Sequence, residues 1–216
     1  MTGFAIDASK PMGLGDLQQL GIYNGLANIW IAMMTTEDTK DTPPEYETPE
    51  LLGEGIEVTL TPLYRTGTLY AGNRKARDMA DPDGYTLSVQ TAAVPPRVRR
   101  KILGRQVDIN GVEFDALGKA PLLALLYETT RDDGSSLFRW LYKGRAAERT
   151  ATDRTQGENY DWSTPTIDFA FWRRNDSRGI IVRPCKAELD TALSTSTPEV
   201  IQLFTEAVYD PAVETV

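Results

Sequence analysis

Along this chain, apolar and polar residues alternate with a period of two over short stretches separated by turn-forming residues, the pattern of half-buried β-strands. Asn28–Met34 (NIWIAMM) puts Ile29, Ile31 and Met33 on one face and Trp30, Ala32 and Met34 on the other. Both faces are apolar, so this strand is expected to be covered on both sides. Ile56–Thr61 alternates strictly: Ile56, Val58 and Leu60 are expected to face the core, and Glu57, Thr59 and Thr61 to face away. Tyr85–Gln90 repeats the pattern with Thr86, Ser88 and Gln90 outward. These outward faces are built mainly of small uncharged side chains rather than Lys and Glu, which suits a smooth hydrophilic lining. Between the two strands, Asp81-Pro82-Asp83-Gly84 has the chemistry of a turn: proline fixes φ, aspartate bonds locally, and glycine accepts positive φ.

Pro95–Gly104 predicts a short helix, with proline at its start, Val98 and Ile102 on one face and glycine at its end. Arg97, Arg100 and Lys101 point away from that apolar face. Val107–Phe114 predicts a hairpin with Asn110-Gly111 in a type I′ turn. A second hairpin pairs Leu122–Thr130 with Leu137–Lys143 around Asp132-Asp133-Gly134. Thr164–Arg174 turns Ile167, Phe169 and Phe171 inward, and Gly179–Arg183 adds a short strand. Thr197 then caps a helix with Pro198 in its first turn; Val200, Ile201, Phe204 and Val208 line one side, so it should dock on a sheet. The fold class expected is mainly β: a β-sandwich or partly closed barrel of about eight or nine strands with one or two short packed helices.

The charge changes this picture in one place. The 216-residue chain has a formal charge of -8, and residues 35–55 carry -6 of it: Glu37, Asp38, Asp41, Glu45, Glu47, Glu50 and Glu54 against Lys40 alone. That stretch also holds Pro43, Pro44 and Pro49 and few apolar residues, a composition that buries too little surface to offset its ordering entropy. It is expected to be a long mobile loop in the free protomer. The basic helix bearing Arg97, Arg100 and Lys101 is its natural complement across a protein–protein contact. As a nucleic-acid site that helix is weak, because it stands alone in an acidic protein.

The chain has no histidine and one cysteine, Cys185. Ser-His-Asp and Cys-His catalysis, His-ligated metal sites and thiolate zinc sites are therefore excluded. Cys185 reads as a small buried residue rather than a reactive thiol. The carboxylate pairs Asp81/Asp83 and Asp132/Asp133 sit in turn sequences that explain them. Gly13-Leu14-Gly15 lacks the later residues of a phosphate loop, and Ser9-Lys10 is not a preorganised dyad. No catalytic residue, cofactor or metal ligand is expected. The N-terminal sequence lacks the pattern of a signal peptide, and no run of about twenty apolar residues could span a bilayer.

Several segments resemble, in colinear order, the major tail proteins of long-tailed, non-contractile bacteriophages. They are Gly25-Leu-Ala-Asn-Ile-Trp-Ile-Ala32, Thr68-Leu-Tyr-Ala-Gly-Asn73, Gln106-Val-Asp-Ile-Asn-Gly-Val112, Phe138-Arg-Trp-Leu-Tyr-Lys-Gly144, Ser163-Thr-Pro-Thr166 and Phe204-Thr-Glu-Ala-Val-Tyr209. The similarity covers residues 25–210, leaving an N-terminal extension of residues 1–24 and a C-terminal tail of residues 211–216. The stretch before Gly25 and Lys186–Thr197 are longer than the family's usual form. The resemblance implies a tail-tube protomer that closes into hexameric rings, which stack into a hollow tube conducting DNA from capsid to host. It further implies a virion protein assembled in the host cytoplasm, without catalytic residues or cofactor. Its partners would be other copies of itself, the tape measure inside the tube, the tail terminator and the distal tail protein, with viral DNA only passing through. On that reading Glu57, Thr59, Thr61, Thr86, Ser88 and Gln90 face the lumen and the acidic stretch 35–55 links one ring to the next. The alternative is a monomeric β-sandwich binding module, for example a carbohydrate-binding one, with Trp30, Trp140, Trp162 and Trp172 available as a platform.

Overall fold

The structure, a computed structural model, describes residues 21–71, 74–115, 119–148, 164–176, 185–192 and 196–210. The expected strand Gly179–Arg183, Trp162 and the Gly13-Leu14-Gly15 and Ser9-Lys10 segments lie outside the described residues. The described chain is mainly β, with strands β1 (Tyr23–Thr36), β2 (Glu45–Tyr46), β3 (Glu50–Ala71), β4 (Arg74–Thr91), β5 (Gln106–Val107), β6 (Glu113–Phe114), β7 (Leu123–Arg131), β8 (Ser136–Glu148), β9 (Thr166–Trp172) and β10 (Lys186–Asp190). Two short helices, α1 (Pro96–Leu103) and α2 (Pro198–Glu206), complete it.

Six strands close into a barrel in the order β1-β3-β4-β9-β8-β7, with β7 pairing back onto β1 and every neighbouring pair antiparallel. β2 adds to β1, and β10 adds to β8. The interior is filled by inward residues of all six strands, among them Ile29, Ile31, Leu52, Leu87, Val89, Leu125, Phe169 and Phe171. Val98 and Ile102 of α1 join this core, as the helical spacing predicted. Gly104 ends the helix in the left-handed region at φ 68°, a conformation that glycine adopts without a Cβ clash.

A second apolar cluster lies outside the barrel wall. Ala32, Leu126, Trp140 and Tyr142 face outward there and are covered by Phe204 and Ile201 of α2 together with Tyr46 and Leu189. β1 is thus buried on both faces, as its two-sided pattern required. Thr197 caps α2, its Oγ1 accepting from the Val200 N–H at 3.5 Å, and the Trp140 Nε1–H donates to the Phe204 carbonyl at 2.7 Å.

Three local expectations give way. Asp81-Pro82-Asp83-Gly84 is no chain reversal but part of β4: Leu63 pairs with Gly84 and Tyr64 with Pro82, so Asp83 is the extra residue of a β-bulge. A Cβ on Gly84 would lie 2.2 Å from the Phe171 carbonyl oxygen, so β9 packs there only against glycine. Ile56 occupies a similar irregularity, between the pairs Gly55–Thr91 and Glu57–Gln90, and is 50% exposed, whereas Val58 and Leu60 pack on the core. The β5–β6 turn is a three-residue loop rather than a two-residue type I′ turn. The Gly111 N–H donates to the Asp108 carbonyl and the Asp108 N–H to Val112, with Gly111 at φ 84°. The β7–β8 turn repeats this geometry, with Arg131 in the place of Asp108 and Gly134 at φ 82°.

Candidate functional site

The six polar residues singled out on β3 and β4 form three directly opposed cross-strand pairs: Glu57 with Gln90, Thr59 with Ser88, and Thr61 with Thr86. Opposed residues on paired strands share a face, and this one is the outer face of the barrel, because the intervening Val58, Leu60, Leu87 and Val89 turn inward. β9 continues each row, Thr166 beside Gln90, Asp168 beside Ser88 and Ala170 beside Thr86. β8 extends two of them with Ala147 beside Asp168 and Arg145 beside Ala170. Ser88 Oγ donates to Asp168 Oδ1 at 2.7 Å, and Gln90 bonds to Thr164. Arg145, the one cation in these rows, gives an Nη1–H to the Ala120 carbonyl at 2.6 Å. The result is a wall of short hydroxyl and amide side chains bearing two carboxylates.

The acidic stretch and the basic helix meet, but within one chain. Arg97 Nη2 lies 2.7 Å from Glu50, and Lys101 Nζ lies 2.6 Å from both Glu47 and Glu50. Hydrogen bonding from Lys101 holds the Glu50 carboxyl below its ordinary value. Burial pulls the Lys101 ammonium down, but its bonds to Glu47 and Glu50 outweigh that and raise it. Arg100 contacts Glu113 of β6 at 3.5 Å. The complementarity expected between protomers is therefore met inside the protomer, because β3 begins beside α1.

Residues 35–55 also hold more structure than their composition suggests. Glu45 accepts from Thr36 Oγ1 at 2.9 Å, and the Tyr46 hydroxyl donates to the Tyr142 carbonyl at 2.8 Å. Asp38 is buried, where it takes hydrogen bonds from Lys143 of β8 and from the Asn175 backbone N–H, and Glu37 lies 3.0 Å from the same Lys143. Arg174 next to it pairs with Asp176 at 2.7 Å and Asp210 at 3.0 Å. Asp41 and Glu54 stay exposed. Buried charges survive only when paired and hydrogen-bonded, and here each anion has a cation beside it.

One feature had no signal in the sequence: a cavity of about 550 Å³ at one mouth of the barrel. Its floor is Leu26, Ile56, Val58, Leu60 and Tyr127. One wall comes from a row across three strands, Tyr127 on β7 opposite Arg139 on β8, itself opposite Glu188 on β10. Arg139 lies 2.7 Å and Lys186 2.8 Å from Glu188, so a single carboxylate answers two cations. Arg139 also stacks over the Tyr127 ring at 5.5 Å, and Lys186 over Tyr85 at 5.4 Å. Burial alone would raise the Glu188 carboxyl, but the Lys186 and Arg139 bonds overcome it and hold it low. The residues come from strands far apart in sequence, which is why no local pattern announced them.

The remaining candidates have structural roles. Trp140 is fully buried and Trp30 packs in the outer cluster, so neither presents a ring for stacking a ligand. Asp133 accepts from the Ser135 N–H at 2.8 Å, as a turn aspartate does, whereas Asp132 accepts from the Ile22 N–H at 2.7 Å and ties the turn to the chain entering β1. Asp83 pairs with Arg65 at 2.9 Å. Cys185 packs half-buried against the barrel core, and burial pushes its thiol up to about 11, which makes it a poor nucleophile. Among the described residues, no helix is long and apolar enough to cross a membrane. No protein-family model matches the chain, and no curated protein matches its sequence.

Proposed function

We propose that this chain is the structural protomer of a bacteriophage tail tube, closing into hexameric rings that stack into a hollow conduit for DNA within the virion. The colinear resemblance described above supplies the family. The observation that carries the reading here is the β3–β4 hairpin. β1 pairs with β3 only over Glu50–Glu54, and β9 pairs with β4 only over Gly84–Gln90, yet β3 and β4 remain paired with each other out to Ala71 and Arg74. Among the described residues, no strand pairs with the outer edges of that extension. Tyr64 at its start is 60% exposed, and Leu63 in the last barrel pairing before it is 43% exposed. Long unpaired edges template pairing with another chain, and a protein that lives as a monomer normally blunts them. Contacts between copies that are head-to-tail close into rings when the rotation permits and otherwise build filaments.

The polar wall fits the same reading. DNA moving through a tube must not adhere, and adhesion to DNA comes chiefly from cations that neutralise phosphates. A lumen faced by Glu57, Thr59, Thr61, Thr86, Ser88 and Gln90 offers hydroxyls, an amide and a carboxylate instead. The tape measure, terminator and distal tail protein would meet the ring at its inner surface or at the tube ends.

Electron microscopy of the concentrated, negatively stained protein tests the reading. Hollow rods or six-fold rings are expected. Particles that stay single at every concentration, with tails of normal length in virions lacking the protein, would overturn it.

A further inference from the structure

We propose that the apolar tip of the β5–β6 hairpin, led by Ile109, seats in the barrel mouth of a second copy of this chain. The inference rests on the self-assembly reading above and specifies one contact within it.

The hairpin has no core of its own, yet it displays apolar side chains. Ile109 at its tip is 100% exposed, and Val112, Phe114 and Val107 are 58%, 46% and 38% exposed. Turn tips are ordinarily polar; here Ile109 leads the tip, Val112 and Phe114 follow on one face of the hairpin and Val107 lies on the other, and exposed apolar residues gathered at a tip mark an interaction surface. The tip is also held in shape before it meets anything. Asp108 Oδ1 accepts the N–H groups of Asn110 at 2.9 Å and Val112 at 2.8 Å, and Arg105 ties the base to Asp115 at 3.0 Å. A preorganised knob binds with less ordering cost than a mobile one.

The mouth is the matching recess. Its 550 Å³ admits several aliphatic side chains onto the floor of Leu26, Ile56, Leu60 and Tyr127. The charges match on one side. Asp108 stands beside Ile109, and hydrogen bonds from the Val112 and Asn110 backbone hold it as an anion. Among the described residues of the mouth, Arg139 and Lys186 both bond to Glu188, and Glu57 also lines it, so the lining as a whole is balanced and Asp108 would be met on the Arg139–Lys186 side alone.

The base of the hairpin is set away from the mouth of its own barrel. The hairpin follows α1, whose C-cap Gly104 abuts Pro121 just before β7 begins at Leu123. The mouth lies toward the far end of β7, at Tyr127 and Thr129. The base of the hairpin and the recess therefore lie toward opposite ends of β7, the arrangement a head-to-tail contact requires.

The test places a photo-reactive residue at the tip of the full chain, Ile109→p-benzoylphenylalanine, and mixes it with isotope-labelled wild-type chain before irradiation. Adducts joining position 109 to labelled peptides that contain Leu26, Ile56–Leu60 or Tyr127 are expected. Rods whose adducts join position 109 to any other segment assign the mouth another occupant and overturn the inference, leaving the tail-tube reading intact. Independently, Ile109→Asp should raise the critical concentration for assembly about tenfold or more while the unfolding midpoint stays put. An unchanged critical concentration overturns the inference. Failure of the wild-type chain to assemble at all overturns the tail-tube reading and this contact with it.

Discussion

Arg131 grips Asp190 through both terminal guanidinium nitrogens, Nη1 to Oδ1 at 2.7 Å and Nη2 to Oδ2 at 2.6 Å. The pair fastens the β7–β8 turn to the end of β10, and Arg131 also donates to the Tyr23 hydroxyl at 2.7 Å at the start of β1. Arg131 is almost wholly buried, so removing its partner strands a charge. Asp190→Ala is expected to cost about 2–3 kcal/mol, measured as a shift in urea midpoint. Asp190→Asn, which keeps one acceptor, should cost less.

The same pair sets an acid limit. Hydrogen bonding from Arg131 holds the Asp190 carboxyl below its ordinary 3.8, and hydrogen bonding from Lys101 holds Glu50 below its ordinary 4.5. The unfolded chain therefore takes up these protons more readily than the folded one. The stability they confer is complete above the ordinary values and drains away as the pH falls toward the depressed folded ones. Urea midpoints measured from about pH 7 down to about pH 3 should fall more steeply for wild type than for Glu50→Gln/Asp190→Asn. Parallel curves would show that these pairs do not set the limit.

Helix α2 is held by Phe204, whose ring is buried in the outer cluster and whose carbonyl accepts from Trp140. Phe204→Ala should cost about 3–4 kcal/mol by opening a cavity over β8. Trp140→Phe removes the donor and leaves a buried carbonyl unpaired, at about 1–3 kcal/mol. Hydrogen exchange should show α2 amides losing protection first in both variants, ahead of β1 and β7.

Shortening the long hairpin separates folding from assembly. Thr66 pairs with Ala80, well beyond the last barrel pairing at Leu63–Gly84. Replacing residues 66–80 by Asn-Gly should leave the unfolding free energy within about 0.5 kcal/mol of wild type. Sedimentation should then find only single copies at concentrations where, on the proposed reading, the wild-type chain forms rods. Rods of normal length from the shortened chain would remove the hairpin from the assembly contact.

Much of the fold was legible where the signal was local. The two-sided strand around Ile29–Met33, the helix with Val98 and Ile102 on one face, and Thr197 capping α2 all follow from spacing within one turn or one strand. What misled were residues whose role is set by a distant partner. Asp81–Gly84 carries turn chemistry, but the same backbone preferences serve a bulge once Leu63 and Trp172 flank Gly84. The acidic stretch looks unable to order itself, because its composition does not reveal that Asp38 meets Lys143, 105 residues further on. The mouth is illegible for the same reason: Tyr127, Arg139 and Glu188 become neighbours only through sheet register.

The seam between β1 and β7 has a temporal side. Tyr23, Gly25 and Leu26 pair with Arg131, Thr130 and Thr129, residues that leave the ribosome about a hundred positions later. Until then the leading strand waits half-satisfied, and the cylinder cannot shut. Late-closing topologies of this kind fold slowly and expose sticky edges meanwhile. Where many copies are made at once, the order of events matters: each polypeptide must zip its own seam before a sibling's edge reaches it.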